Sequence, residues 1–369
     1  MRIVLTGGGT GGHLFPLVAV AKELKKILGA EAELLYVGTG GSLEKTTMDA
    51  KGIKAKHILS GKKRRYFSFK NFIDPFKILI GIIQSLWILL WHMPDAVFAK
   101  GSYASVPVVI AAWLYHIPIL IHESDAVPGT ANQIMAKFSK RVAVSYPHAE
   151  QYFPKSKLAL TGNPVRMEIS QGNADALRKK FGLTESKPVV FVMGGSQGSK
   201  IINEAIIKIL PKLLQRAQVI HQTGEKNYDE VARKAAEYGI KAGREGYIPM
   251  KFLDSNILKD AYAAADLVVS RAGANTISEI AANAKPAILI PLESAANDHQ
   301  AMNAYELARV GGVLVLEEMN LGEHILLQKI EKLLDDKELS ASMGEKIRAF
   351  YHPEAAKKLA EGIIELVGQ

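Results

Sequence analysis

Cysteine is absent from the 369 residues, which removes disulfide scaffolds, zinc–thiolate sites and thiol catalysis together. Asp-x-Asp does not occur either, so no carboxylate pair at that spacing is available to bridge a divalent cation to a diphosphate. No metal or other cofactor is expected. Met1-Arg2-Ile3-Val4-Leu5-Thr6 runs straight into glycines, without the apolar core or small-residue cleavage site of a signal peptide. Long apolar runs are scarce. The one candidate, Ile78 to Met93, falls about a turn short of the ~20 residues a bilayer requires, so it is expected to lie on a membrane or inside a core. With 48% apolar and 22% charged residues, the composition excludes disordered and collagen-like chains, and the length favours two domains.

Positive charge is concentrated. The chain carries +9, and eight basic residues with one acid between Gly52 and Lys77 account for +7 of it. This block (Lys54, Lys56, Lys62, Lys63, Arg64, Arg65, Lys70 and Lys77) leads into an apolar stretch bearing Phe67, Phe69, Phe72, Phe76, Trp87 and Trp91. A nucleic-acid binder spreads its charge along a stripe with stacking aromatics. Cations beside an apolar helix face suit an anionic membrane surface instead. The partner expected is therefore the cytoplasmic leaflet of the cell membrane, bound peripherally, and not nucleic acid; a core helix after a solvated basic loop is the plainer alternative.

Short apolar runs alternate with helical stretches: Ile3–Thr6, Glu33–Gly38, Ala96–Lys100, Ile117–His122 and Val142–Ser145, then Pro188–Met193, Gln218–Gln222, Leu267–Ser270, Ala287–Pro291 and Val313–Leu316. Such spacing predicts βαβ units and parallel sheets. The rhythm restarts after Gly162–Arg166, so the fold expected is α/β with two Rossmann-like, doubly wound domains facing across a cleft. Their bounds are 1–163 and 164–340, and helices in 341–369 return to the first domain. Ligands of open parallel sheets bind at the carboxyl ends of the strands.

Three loops there carry the chemistry. Gly7-Gly8-Gly9-Thr10-Gly11-Gly12-His13 lies between a strand and a helix, where glycines admit a ligand to the backbone and the helix terminus favours anions. No acidic residue follows Tyr36-Val37-Gly38, as a ribose-binding dinucleotide site needs, and no lysine completes a P-loop. His13 at the helix start is expected to be neutral and able to take a proton; a plain helix cap is the alternative. Gly194-Gly195-Ser196-Gln197-Gly198-Ser199 suits a diphosphate, although its G-x-S-x-G spacing also fits a hydrolase nucleophile with His299 and Asp266 or Glu279 as partners. In the third stretch, Ser270 to Glu279, a helix after Gly273 points amides at an anion, and Glu279 is placed to take ribose hydroxyls.

Taken together, Gly8–His13, His122-Glu123, Gly162-Asn163-Pro164-Val165-Arg166, Gly194–Gly198, Gly273 with Thr276 to Glu279, and Asp298-His299-Gln300 with Asn303-Ala304 resemble the MurG family. These are the membrane-associated N-acetylglucosaminyltransferases of glycosyltransferase family 28 that complete lipid II in bacterial peptidoglycan synthesis. The resemblance covers nearly the whole chain, with the motifs in the family's order. It implies a GT-B fold, UDP-N-acetylglucosamine as donor, undecaprenyl-diphosphate-linked MurNAc-pentapeptide (lipid I) as acceptor, and inverting, metal-independent transfer forming a β-1,4 linkage. It also implies that Thr10, Gly11 and Gly12 approach the donor's sugar and diphosphate and also receive the acceptor's diphosphate, that Arg166 and Ser196 bind the donor, and that Leu253 holds uracil through backbone groups. Ala274, Asn275, Thr276, Ile277, Ser278 and Glu279 line the nucleotide, with Glu279 on the ribose, and Gln300 contacts the transferred sugar. His13 is the first choice as general base and Glu123 the second.

Two positions depart from the family pattern. Asp125 stands where an asparagine usually contacts the sugar, and an ionised carboxylate accepts hydrogen bonds but donates none. Asn275 replaces a residue that is commonly apolar. Three other readings stay open on the residues alone: a UDP-N-acetylglucosamine epimerase of the same fold, a nicotinamide-dependent oxidoreductase, and a non-catalytic membrane adaptor.

Overall fold

Fully buried apolar runs become the central parallel strands, because both sheet faces are covered by helices. The computed structural model describes residues 1–61, 70–195, 197–293 and 298–368. It divides into two units, Met1–Arg166 with His352–Gln369, and Met167–Tyr351. The basic residues Lys62, Lys63, Arg64 and Arg65, the aromatics Phe67 and Phe69, and Ser196 lie outside the described residues.

In the first unit the strands are β1 (Arg2–Thr6), β2 (Glu33–Gly38), β3 (Lys54–His57), β4 (Ala96–Ala99), β5 (Ile119–Glu123), β6 (Arg141–Val144) and β7 (Leu158–Leu160). They pair in the order β3-β2-β1-β4-β5-β6-β7, and every pairing is parallel. The helices are α1 (Gly11–Leu28), α2 (Ser42–Asp49), α3 (Lys70–His92), α4 (Val106–Leu114) and α5 (Thr130–Phe138). On one face of the sheet, Leu14, Leu17, Val20 and Leu24 of α1 form a core with Leu359 and Ile363 of the C-terminal helix (Ala355–Val367). On the other face, Leu89 of α3, Val108 and Val109 of α4 and Met135 of α5 pack together.

The second unit holds α6 (Ala174–Phe181), β8 (Val189–Met193), α7 (Lys200–Arg216), β9 (Gln218–Gln222), α8 (Tyr228–Glu237), β10 (Tyr247–Met250) and α9 (Ser255–Ala264). Then come β11 (Leu267–Ser270), α10 (Ala274–Ala282), β12 (Ala287–Leu289), α11 (His299–Arg309), β13 (Leu314–Val315), α12 (Glu323–Asp335) and α13 (Lys337–Arg348). Its strand order is β10-β9-β8-β11-β12-β13, the same doubly wound order as the first six strands of the other sheet. The winding reverses between β1 and β4 in one sheet and between β8 and β11 in the other, and within each sheet the loops at that point are where open parallel sheets take ligands.

Two features differ from the sequence reading. Residues 341–351 belong to the second unit and 352–369 to the first, so the C-terminal helices divide between the units. Helix α3 is longer than the apolar run, because the polar residues that interrupt the pattern are accommodated: Asp74 is buried, and Lys77 lies 3.7 Å from its carboxylate. By length and composition Ile73–His92 is long and apolar enough to cross a membrane, with 22% of the window buried. One side of α3 packs against α4, and the chain continues from it directly into β4 at the centre of the sheet.

Candidate active site

In the first unit, β1 ends in the glycine loop and Thr10 begins α1 in an extended conformation, its carbonyl accepting the amides of His13 and Leu14 at 3.0 and 3.1 Å. This places the first-turn amides of Gly11 and Gly12 at a helix terminus, where they suit an anion. Gly9, Thr10 and Gly12 are exposed. Gly8 has no room for a side chain, since a Cβ there would lie 2.5 Å from Ser102 Oγ.

His13 Nδ1 lies 3.0 Å from the Lys100 carbonyl. A carbonyl only accepts, so Nδ1 carries the proton and Nε2 keeps its lone pair. Burial, and then the nearby Lys100 ammonium, depress the imidazole to about 4. It is neutral at pH 7.

Glu123 closes β5 and is buried. Its Oε1 accepts the Asp125 amide at 3.0 Å, while Oε2 accepts the Gly129 amide at 3.1 Å and Asn132 Nδ2 at 2.7 Å. Those bonds tie the turn after β5 to the start of α5. Burial, then the charge of Asp125, push the carboxyl upward. His122 Nε2 donates to the Gly162 carbonyl at 3.0 Å, and burial holds this ring far below the usual imidazole range. Asp125 is half-buried in the turn. Arg166 belongs to this unit, with its guanidinium 4.8 Å above the Phe15 ring of α1.

In the second unit the glycine loop after β8 ends at Ser199, the N-cap of α7. Gly198 adopts φ +76°, and a Cβ there would fall 1.9 Å from the Thr223 carbonyl, so only glycine closes the turn. Gln222, at the end of β9, donates to the Gly195 carbonyl at 2.9 Å and accepts the Leu253 amide at 3.0 Å. The Leu253 N–H is thus engaged within the protein, and its carbonyl is the backbone group left for a base.

Helix α10 starts after Gly273. Asn275 and Thr276 are half-exposed in its first turn, while Ala274, Ile277, Ser278 and Glu279 are buried. The Ser278 hydroxyl donates back to the Ala274 carbonyl at 2.8 Å. Glu279 Oε2 accepts the Tyr262 hydroxyl at 3.2 Å, which orients the carboxylate from α9. Gln300, in the first turn of α11, accepts the Leu292 amide through Oε1 at 3.1 Å, so its Nε2 is the end able to donate to a ligand. Asn303 anchors α11 by donating to the Ala272 carbonyl at 3.2 Å.

Asp266 lies at the amino end of β11, where it accepts the Val189 amide at 2.7 Å. That is the opposite edge of the sheet from the glycine loop, so it takes no part in a Ser–His–Asp arrangement. Lys100, Gln222, Tyr262 and Arg271 are the side chains that sequence reasoning passed over. Each organises a loop that it did name, and only Arg271, inside a quoted motif, left a signal.

Comparison with known proteins gives the assignment. A family model described as the glycosyltransferase family 28 N-terminal domain matches residues 3–144, and the corresponding C-terminal domain matches residues 189–359. The chain belongs to glycosyltransferase family 28. A relative from Clostridium botulinum (strain Loch Maree / Type A3) is 40% identical over 337 residues, covering 91% of this chain and 92% of that protein. Another, from Clostridium tetani, is 40% identical over 338 residues, 91% of each chain. Both are named UDP-N-acetylglucosamine–N-acetylmuramyl-(pentapeptide) pyrophosphoryl-undecaprenol N-acetylglucosamine transferase. Among solved structures, Acinetobacter baumannii MurG aligns over 99% of both chains at 26% identity and TM-score 0.77. A UDP-GlcNAc 2-epimerase from Neisseria meningitidis bound to UDP-GlcNAc, with TM-score 0.73 over 99% of this chain and 100% of that one, is 14% identical and shares the fold. This chain is a glycosyltransferase with the two-domain GT-B fold.

Proposed function

We propose that this chain transfers N-acetylglucosamine from UDP-N-acetylglucosamine to the 4-hydroxyl of the MurNAc-pentapeptide of lipid I, forming lipid II with inversion at the anomeric carbon. The observation that carries this reading is the likeness, over nine-tenths of the chain, to transferases named for that reaction.

The donor is held by the second unit. The Leu253 carbonyl accepts the uracil N3–H, Glu279 takes the ribose hydroxyls, and the amides opening α7 and α10 receive the diphosphate with Ser196. Asn275 and Thr276 present polar groups beside it, and Gln300 donates through Nε2 to a hydroxyl of the transferred sugar. In the first unit, Thr10, Gly11 and Gly12 receive the acceptor's phosphates and Asp125 accepts from a sugar hydroxyl. Arg166 contributes a cation able to bind phosphate oxygens in pairs. The reaction needs a base for the acceptor hydroxyl and neutralisation of departing UDP. His13 Nε2 takes the proton. Glu123, with both oxygens held by N–H donors, shapes the turn that carries Asp125.

The lipid acceptor lives at a membrane, and α3 supplies the means of reaching it. Phe76, Ile83, Trp87, Leu90 and Trp91 are exposed along it, Trp91 by 74% and Trp87 by 63%. Such a face binds an interface through apolar burial together with charge, and the neighbouring basic block supplies the charge. On this reading the protein works at the cytoplasmic face of the cell membrane, held peripherally. Following UDP-N-acetylglucosamine by NMR with and without a short-chain lipid I analogue tests the reading against epimerisation. The sugar is consumed only when acceptor is present; conversion to the 2-epimer without acceptor contradicts the proposal.

A further inference from the structure

Lys100 follows β4 at the point where the sheet reverses its winding, its amide bonded to the Thr6 carbonyl at 2.9 Å. The residue is 1% exposed, and its Nζ has no hydrogen-bond partner among the described residues. An ammonium withdrawn from water without hydrogen bonds is costly, and the neighbouring charges must justify it. Two of its titratable neighbours are carboxylates and two are neutral imidazoles. His13 faces it from α1, His122 and Glu123 from β5, and Asp125 from the following turn. Thr6 of β1 and Asn132 of α5 are the uncharged polar neighbours at this end of the sheet.

We propose that Lys100 is a positioning residue: its buried ammonium balances the Glu123 and Asp125 carboxylates while its carbonyl fixes the His13 tautomer. Glu123 already accepts three N–H bonds, so Lys100 acts on it by charge and not as a further donor. The same ammonium repels a proton from His13 and keeps Nε2 free to accept one. Burial lowers Lys100 itself to about 8, with Glu123 and Asp125 pulling the other way. The geometry beneath this is the pairing of Ala99 with Ile121, which brings Lys100 and Glu123 to neighbouring strand ends, the burial of both side chains, and the His13 bond to the Lys100 carbonyl; only the catalytic consequence rests on the function proposed above.

The sign of the test follows. Removing the ammonium relieves its repulsion of a protonated His13 and removes its attraction for the Glu123 carboxylate, so both groups titrate at higher pH. Lys100→Met keeps the bulk and deletes the charge; Lys100→Arg restores the charge. With histidine-labelled protein, the His13 ring should titrate about one pH unit higher in Lys100→Met. The acid limb of kcat/KM should move in the same direction, and Lys100→Arg should return both toward wild type. A folded Lys100→Met protein with an unmoved His13 midpoint overturns the proposal, whatever reaction the enzyme performs. Should Lys100→Met fail to fold, the wild-type protein carries the test. The His13 ring resonance should show a second inflection as Lys100 loses its proton near pH 8, and a flat response there overturns the proposal equally.

Discussion

Arg271 Nη2 donates to the Ser199 hydroxyl at 2.7 Å across 72 residues of sequence. Ser199 caps α7 directly after the glycine loop, so this bond fixes the helix terminus proposed to receive the diphosphate. The same guanidinium pairs with Glu318 at 2.5 Å and donates to the Ile290 and Pro291 carbonyls at 3.2 and 3.4 Å. One buried cation therefore joins the loops after β8, β11 and β12. Arg271→Met leaves Glu318 buried and unpaired, which should cost about 3–5 kcal/mol of stability by urea denaturation. Adding Glu318→Leu should recover most of that stability while UDP affinity stays low. Recovery of both would show that Arg271 serves the fold alone.

Gln222 connects the Gly195 carbonyl to the Leu253 amide and so couples the loop proposed for the diphosphate to the residue proposed to hold uracil. Gln222→Leu leaves both backbone groups without their partner. We expect UDP binding, measured by calorimetry, to weaken about tenfold, roughly 1.4 kcal/mol. Unchanged affinity would detach this residue from the nucleotide site.

Acid should destabilise the protein well before its carboxylates are neutralised. His13 is depressed to about 4, His221 to about 3 by burial, and His122 well below its ordinary value. Between those values and about 6.5 the unfolded chain binds more protons than the folded one, so stability falls as pH drops, by about 1.4 kcal/mol per unit of depression for each group. Glu123, raised by burial, has the opposite sign but is a single group. The urea midpoint should be lower at pH 5 than at pH 7; an equal or higher midpoint at pH 5 contradicts these assignments.

Trp87 and Trp91 stack edge to face with centroids 5.9 Å apart on the exposed side of α3. Replacing both by alanine should reduce binding to anionic vesicles at least tenfold, since burying such side chains contributes on the order of 1–3 kcal/mol each, and should leave UDP affinity unchanged. Wild-type binding should also weaken with salt. Equal vesicle binding by wild type and the double variant would remove α3 from the membrane contact.

Most of the architecture was legible in residue pattern. Glu33–Gly38 and Leu267–Ser270 were read from apolar runs and occur as β2 and β11 with those bounds. Two of the strands outside those runs show the physical reason. β3 reads Lys-Ala-Lys-His because it is a sheet edge with little to bury, and β10 is interrupted by Pro249, which an edge strand tolerates. The glycine loops were visible because Gly8 and Gly198 answer local steric demands. Lys100 was not, since a lysine after an apolar strand reads as a solvent-facing terminus until β5 and α5 close over it. Gln222 and Tyr262 were hidden in the same way: their roles exist only between segments distant in sequence.

The reaction itself is the most direct test. Incubation with UDP-N-acetylglucosamine labelled in the sugar and a short-chain lipid I analogue, with chelator present, should transfer label to the lipid, and the product's anomeric proton should report a β-linkage. Transfer giving an α-linkage, or no labelled lipid from active-folded protein that binds UDP, would contradict the account.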